Sequence, residues 1–276
     1  MDIVTSVRAL RERLQREPNN VFVPTMGNLH EGHINLIGIA KPRAACTVVS
    51  IFVNRLQFGP KEDFERYPRT FQSDCDKLRG AGVNVVFAPD EKEIYPEPQT
   101  FVVEPSELQH VLDGAFRPGH FRGVATVVLK LFNMVMPHAA IFGKKDYQQY
   151  LVLRDMVRQL ALPVEIIPAD TVRAADGLAL SSRNGYLSPA ERAEAPRLYA
   201  LLKDAKDKIS AGERNLQGIE LEAMAQLSRH GWTPQYLAVR RRADLQPPAP
   251  GERELVVLAA AYLGKTRLID NIEVTI

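Results

Sequence analysis

The stretch Pro24-Thr25-Met26-Gly27-Asn28-Leu29-His30-Glu31-Gly32-His33 decides how the rest of the chain is read. The apolar run Val21-Phe22-Val23 before it suits a buried strand, and Ile34, Leu36, Ile37, Ile39 and Ala40 after it suit a packed helix face. Strand, glycine-bearing turn and helix together offer backbone N–H groups and a helix dipole to a phosphate. His30 and His33 stand three apart, so a helix beginning here places both imidazoles on one side of its first turn. Two ring N–H groups at the positive end of a helix suit anionic oxygens, above all charge that grows during reaction. A histidine pair alone ordinarily marks a solvated polar turn. The company of two glycines and Thr25, between strand and helix, favours the ligand-binding reading.

Working outward, Thr5 or Ser6 is expected to cap a first helix with Val7, Leu10 and Leu14 on its apolar face, ending before Pro18. Thr47-Val48-Val49-Ser50-Ile51-Phe52-Val53 reads as a central parallel strand, apolar on both faces. The polar loop 54–68 is long, and long loops leaving the carboxyl end of such strands tend to hold ligand-binding residues. A helix over 69–79, closed by Gly80 and Gly82, leads to a strand over 83–88. Phe101-Val102-Val103 is a further short apolar run. Residues 114–123, with three glycines and two arginines, read as a loop leading into an apolar buried helix over 124–136. Strands at 139–142 and 164–167 flank a turn, Gly143-Lys144-Lys145-Asp146, and a helix over 147–160. Alternating strands and helices predict a Rossmann-like, doubly wound parallel sheet, so the fold class is α/β.

The pattern changes at the turn Ala174-Ala175-Asp176-Gly177. Ser181-Ser182-Arg183-Asn184-Gly185 follows, then a helix starting at Ser188-Pro189, a second over Leu216–Arg229, and three strands with no helices between them. The expected organisation is a domain over 1–174 and a smaller C-terminal α+β domain over 175–276.

The 276 residues suffice for one large or two ordinary domains, and 45% hydrophobic with 25% charged residues is usual for a globular protein. Lys plus Arg (35) against Asp plus Glu (33) leaves +2, a field too weak to argue for nucleic acid or membrane as partner. There is no N-terminal signal pattern and no apolar run of spanning length, and Cys46 and Cys75 match no metal-binding spacing. A cytoplasmic protein with reduced thiols is expected.

Lys144 and Lys145 suit phosphate neutralisation and Asp146 a ribose hydroxyl. Ser181-Ser182-Arg183 adds oxyanion donors, and Gln57 and Gln149 offer amides that both donate and accept. Each of these, taken singly, also fits an ordinary polar turn or surface. Gly264-Lys265-Thr266 imitates the tail of a P-loop, but Ala259 stands where its first glycine is required. No Ser-His-Asp order, cysteine nucleophile or zinc-ligand cluster stands out.

His-x-Gly-His in this setting resembles the nucleotide-binding motif of the nucleotidylyltransferase and class I aminoacyl-tRNA synthetase superfamily. Joined to Ser50-Ile51-Phe52-Val53-Asn54, Gln57-Phe58, Tyr67-Pro68-Arg69-Thr70, Arg117-Pro118-Gly119-His120-Phe121-Arg122-Gly123, Asp146-Tyr147-Gln148-Gln149 and Leu180-Ser181-Ser182-Arg183-Asn184, it resembles the pantothenate synthetase (pantoate–β-alanine ligase) family over nearly the whole chain. The resemblance implies ATP and pantoate giving pantoyl adenylate and pyrophosphate, then β-alanine giving pantothenate and AMP, with Mg²⁺ bridging phosphates and no protein metal site. It implies His30, His33 and Lys145 as the catalytic donors, with His33 the proton donor. It assigns ATP to Met26, Gly27, Asn28, Leu29, His30, Glu31, Gly32 and His33, and to Gly143, Lys144, Lys145, Asp146, Val172, Leu180, Ser181, Ser182 and Arg183. Gln57 and Gln149 would hold pantoate, Gln57 also β-alanine, the small domain would close over ATP, and the protein would be a homodimer. Arg55 stands where the family usually has proline and Lys144 where it usually has glutamate. Arg55 is expected to loosen the loop and add charge beside Gln57, and Lys144 to make the phosphate site more positive. On the same scaffold, a nucleotidylyltransferase that keeps AMP on its product would explain the histidines but neither glutamine nor the Ser-Ser-Arg turn. A nucleotide-binding protein without catalysis is disfavoured by the histidine pair and Lys145.

Overall fold

The computed structural model describes residues 1–60 and 62–276, so position 61 in the 54–68 loop lies outside the described residues. The chain forms two compact units, Met1–Lys144 with Val152–Asp170, and Lys145–Leu151 with Thr171–Ile276.

In the first unit the strands are β1 (Asp2–Val4), β2 (Asn20–Thr25), β3 (Cys46–Ile51), β4 (Val85–Phe87), β5 (Ala139–Gly143) and β6 (Glu165–Ala169). The longer helices are α1 (Val7–Leu14), α2 (Glu31–Ala40), α3 (Phe71–Gly80), α6 (His120–Val135) and the part of α7 (Tyr147–Gln159) from Val152 onward, with the single turns α4 (Glu91–Ile94) and α5 (Asp113–Phe116) between α3 and α6. All the strands pair in parallel, in the order β1-β4-β3-β2-β5-β6. The chain runs outward from β2 through β3 to β4, then crosses to β5 and β6, so the order reverses between β2 and β5. Such a switch point leaves a crevice at the carboxyl ends of the two strands.

Pro24 sharpens that crevice. Thr25 O accepts from Phe52 N (3.0 Å), so Thr25 faces β3 and Pro24 faces β5. The β2–β5 ladder ends at the Phe22–Ala140 pair, and a proline with no N–H to give sits just beyond it. Alternation along the strands sends side chains to opposite faces. Val21, Val23, Val49, Val86 and Ile141 pack with Ile37 and Ala40 of α2 and Leu78 of α3. On the other face Phe132 of α6 meets Phe22 and Phe142 edge-on, each at 6.4 Å between ring centroids.

The second unit contains α8 (Pro189–Glu194), α9 (Arg197–Ser210) and α10 (Leu216–Arg229), followed by the antiparallel meander β7 (Trp232–Arg241), β8 (Glu254–Leu263) and β9 (Thr266–Thr275). Leu198, Leu202 and Ile209 of α9 and Ile219 and Leu227 of α10 pack on Leu237, Val239, Val257 and Ala259. Gly264-Lys265 is the two-residue hairpin between β8 and β9, which disposes of the P-loop imitation. A parallel sheet flanked by helices, plus a small α+β unit, is the expected fold class.

Several boundaries differ from expectation for local reasons. Asp2–Val4 forms an edge strand beside β4, too short to carry a period of its own. The third helix starts at Phe71 and runs through Gly80 rather than stopping there. Phe101-Val102-Val103 makes no strand, and Phe101 is 89% exposed. The supposed loop 114–123 contains α5 and the first turn of α6, which begins at His120 because Gly119 caps it in the left-handed region (φ 80°). The helix starting at Pro189 is two helices, because Pro196 has no N–H to continue the first and caps the second.

Candidate active site

His30 is the N-cap of α2 and His33 its N3 residue, so His30 stands one step ahead of the turn on which both were expected. His30 Nδ1 accepts from Gly32 N (3.1 Å) and His33 Nδ1 accepts from His30 N (3.2 Å). This is a capping box built from imidazoles. A nitrogen that accepts an N–H carries no proton, so each neutral ring holds its proton on Nε2. The ring centroids are 4.1 Å apart.

The turn before the helix is held from below. Gly27 (φ 81°) and Asn28 (φ 50°) both occupy the left-handed region. The fully buried Asp74 carboxylate of α3 accepts from Asn28 N (2.9 Å) and Leu29 N (2.8 Å), while Thr70 Oγ1 donates to it (3.1 Å). Gly27 N donates to Thr25 Oγ1 (3.2 Å), and Thr25 in turn donates to Ser50 O (2.7 Å). A Cβ on Gly27 would lie 3.1 Å from both Asp74 Oδ2 and Ile51 Cγ2. Asp74 thus straps the His-bearing turn, and nothing local in the sequence announces it.

Gln57 lies buried in a short 3-10 turn, Arg55–Gln57. Asn54 Nδ2 donates both to Gln57 Oε1 (3.1 Å) and to Gly123 O (3.1 Å), and Tyr95 Oη donates to Asn54 Oδ1 (2.8 Å). Burial pushes the Tyr95 phenol upward, so it remains the donor. Gln57 Nε2 lies 3.2 Å from Met26 Sδ, a weak acceptor. Gly123 is required at this junction, since a Cβ there would sit 2.1 Å from Leu56 O. On the other side His120 Nδ1 bonds Gln57 O (2.8 Å), and Arg117 Nη1 meets His120 Nε2 at 2.9 Å. Arg117 also forks onto Glu62 through Nε (2.8 Å) and Nη2 (2.6 Å). Burial, with the Arg117 charge adding, pushes the His120 imidazole down to about 4.

The two residues that depart from the family pattern both meet carboxylates. The exposed Arg55 guanidinium pairs with Glu91 (3.2 Å) and Glu65 (3.5 Å) and lies 4.1 Å over the Phe64 ring. These contacts offset part of the charge that Arg55 adds to the loop. Lys144 Nζ is 2.7 Å from Asp170, which balances part of its added charge.

The remaining expected residues follow β5 or belong to the second unit. Lys144, Lys145 and Asp146 form a 3-10 turn directly after Gly143, with Lys145 Nζ 3.7 Å from Asp146 Oδ1. Asn271 Nδ2 donates to Lys145 O (2.9 Å), anchoring that turn within its unit. Gln149 is in the first turn of α7 and is half-buried. Ser181 caps the 3-10 turn Ser182–Tyr186 through Arg183 N (3.3 Å), and Leu180 N donates to Val172 O (3.0 Å). Arg173 forks onto Asp270 (2.6 and 2.9 Å) and stacks 3.6 Å over Tyr199, bracing the turn at 174–177. Among the described residues no three or more His, Cys, Asp or Glu side chains are grouped to hold a metal ion, and no helix is long and apolar enough to cross a membrane.

The family model described as pantoate-beta-alanine ligase matches residues 2–273. A pantothenate synthetase from Nitrosospira multiformis is 56% identical over 275 residues, covering 100% of this chain and 99% of that protein. The crystal structure of pantothenate synthetase from Thermus thermophilus matches with a TM-score of 0.95 at 44% identity, covering 100% of each chain. A pantoate-beta-alanine ligase from Francisella tularensis, complexed with beta-gamma ATP and beta-alanine, matches with a TM-score of 0.84 at 34% identity, covering 99% of this chain and 97% of that one.

Proposed function

The chain belongs to the pantoate–β-alanine ligase family, whose ATP-dependent condensation of pantoate with β-alanine it performs, and from its residues we infer that the reaction passes through pantoyl adenylate. The observation that carries this reading is the histidine pair whose Nδ1 atoms are both committed to the α2 backbone. Each ring then carries its N–H on Nε2 at the positive end of α2, where it would donate to phosphate oxygens on ATP binding.

In the first step a pantoate carboxylate oxygen attacks the α-phosphorus, the bond to the bridging oxygen breaks, and pyrophosphate leaves. His30, His33 and Lys145 offset the charge on the phosphates, and His33 supplies the proton to the departing oxygen. ATP enters as its Mg²⁺ complex, the ion carried by the phosphates. In the second step the β-alanine amine attacks the acyl carbon, the C–O bond to AMP breaks, and the amine nitrogen loses a proton. Gln57 and Gln149 hold pantoate, and the amide of Gln57 also faces β-alanine. Residues 26–33, 143–146, Val172 and 180–183 bind ATP. The 54–68 loop excludes water from the reactive adenylate. The small domain closing over ATP, a cytoplasmic location and a homodimer belong to the same proposal and rest on the family resemblance. Light scattering at twice the 30.9 kDa chain mass supports the dimer, and a single-chain mass removes it.

Isotope exchange between pyrophosphate and ATP tests the intermediate. Exchange that requires pantoate and proceeds without β-alanine supports it, and exchange that requires β-alanine contradicts it. Gln149→Ala is expected to raise the KM for pantoate and leave that for ATP unchanged; the reverse would show that the pocket is misassigned.

A further inference from the structure

Two strings of hydrogen bonds converge on Gln57, and each is oriented by a group that acts in one sense alone. The Gly123 carbonyl only accepts, so Asn54 must turn Nδ2 toward it. The same Nδ2 then fixes Gln57 Oε1, which leaves Nε2 of the Gln57 amide facing the weakly accepting sulfur of Met26. A substrate oxygen arriving there replaces a poor acceptor with a good one. On the backbone side the Arg117 guanidinium only donates, so His120 Nε2 must accept from it. His120 therefore holds its proton on Nδ1 and donates it to Gln57 O.

The need for this second string is visible in the turn itself. The 3-10 turn Arg55–Gln57 closes through Gln57 N to Asn54 O (3.3 Å) and Phe58 N to Arg55 O (3.1 Å), too little to fix a side chain by itself. The carbonyl at its end would be an orphan without His120. Burying imidazole and guanidinium here costs desolvation that an apolar pair of similar volume would avoid.

We propose that Glu62, Arg117 and His120 form a positioning relay, in which the Glu62-anchored Arg117 dictates the His120 tautomer and His120 holds the turn that presents the Gln57 amide to the acid substrate. The relay rests on the reading of Gln57 as a pantoate-binding residue. It also ties the turn at Gln57 to a later part of the same loop, where Glu62 lies.

The test is the KM for pantoate, β-alanine and ATP, measured separately, in His120→Leu, His120→Asn, Arg117→Lys, Gln57→Ala and the double variant His120→Leu/Gln57→Ala. Leucine removes the donor, whereas asparagine offers an amide N–H close to the position of Nδ1–H. His120→Leu is expected to raise the pantoate KM about tenfold, the worth of one positioned hydrogen bond, with the ATP KM within about twofold of wild type. His120→Asn should return it to within about threefold of wild type, and the double variant should bind pantoate no worse than Gln57→Ala. Arg117→Lys keeps the charge and loses the fork, so a smaller rise in the pantoate KM, with the ATP KM unchanged, is expected even where the leucine variant does not fold. Equal behaviour of leucine and asparagine, a parallel rise in every KM, or additive effects in the double variant would overturn the relay. Gln57→Ala without effect on pantoate would remove the reading of Gln57 and the relay together. Gln57→Ala raising the pantoate KM while Arg117→Lys and His120→Leu leave it unchanged would remove the relay alone.

Discussion

His30 and His33 are oriented by their own helix, whereas Gln57 is oriented by residues as distant along the chain as Gly123 and His120. The two regions belong to the same unit and are proposed to serve the same reaction, yet they depend on different kinds of support. The imidazoles are fixed by helix capping, which three residues of local sequence supply. The amide is fixed by a buried network, in which one missing partner leaves others unsatisfied. The first region should therefore lose chemistry and keep its shape when mutated; the second should lose substrate affinity through its geometry.

The largest expected effect separates the two at once. His33→Ala should lower kcat by roughly 100- to 10,000-fold, the range for a positioned proton donor, with an unchanged circular dichroism spectrum. Near-normal turnover would remove His33 from the mechanism. Next is Gly123→Ala, whose Cβ would stand 2.1 Å from Leu56 O and so displace the Gln57 turn. A rise in the pantoate KM of about tenfold or more is expected, with a denaturation free energy about 1–3 kcal/mol lower. Wild-type kinetics with the same stability loss would show that the turn moves without consequence for binding.

A titration sharpens the contrast further. His120 sits at about 4 in the folded protein against 6.5 for the free side chain, so the unfolded state takes up the proton first. Its contribution to stability is complete above pH 6.5 and is lost as pH falls toward 4, by up to about 3 kcal/mol. His120→Asn should flatten that part of the stability–pH curve in denaturant melts; an identical curve would mean the imidazole is not held neutral. The smallest effect belongs to Arg55, whose pairs with Glu65 and Glu91 are exposed. Arg55→Ala should cost about 0.2–1 kcal/mol and change kcat/KM by less than about threefold. A larger kinetic loss would show that the latch over Phe64 governs the loop.

What was legible in the sequence follows the same division. Val21 to Ala40 carries its strand, its turn glycines and its helix signal within a single window, so the strand–turn–helix unit and the histidine pair are readable locally. The alternation of strands and helices likewise gives the parallel sheet, because βαβ connections leave few other topologies. Asp74 is different. It strengthens the Gly27–Leu29 turn from over forty positions away, and an aspartate near the start of a polar helix looks like any solvated acid. His120 and Arg117 were visible as residues of a glycine-rich stretch, but their partners, Gln57 O and Glu62, are set by tertiary contact. The start of α6 was hidden for a similar reason: Gly119 and Gly123 look like loop formers, while one caps the helix and the other admits the neighbouring backbone. For Arg55 and Lys144 the added charge was readable, but the carboxylates that absorb it were not.

The central claim is a ligase that activates pantoate with ATP before β-alanine enters. It is tested most directly by quantifying AMP and pyrophosphate from ATP and Mg²⁺ with pantoate and β-alanine omitted in turn. The account predicts a single stoichiometric release of pyrophosphate with pantoate alone, and AMP in equal amount to pantothenate when both acids are present. AMP produced with β-alanine alone, or ATP bound with no pyrophosphate released by pantoate, would contradict it.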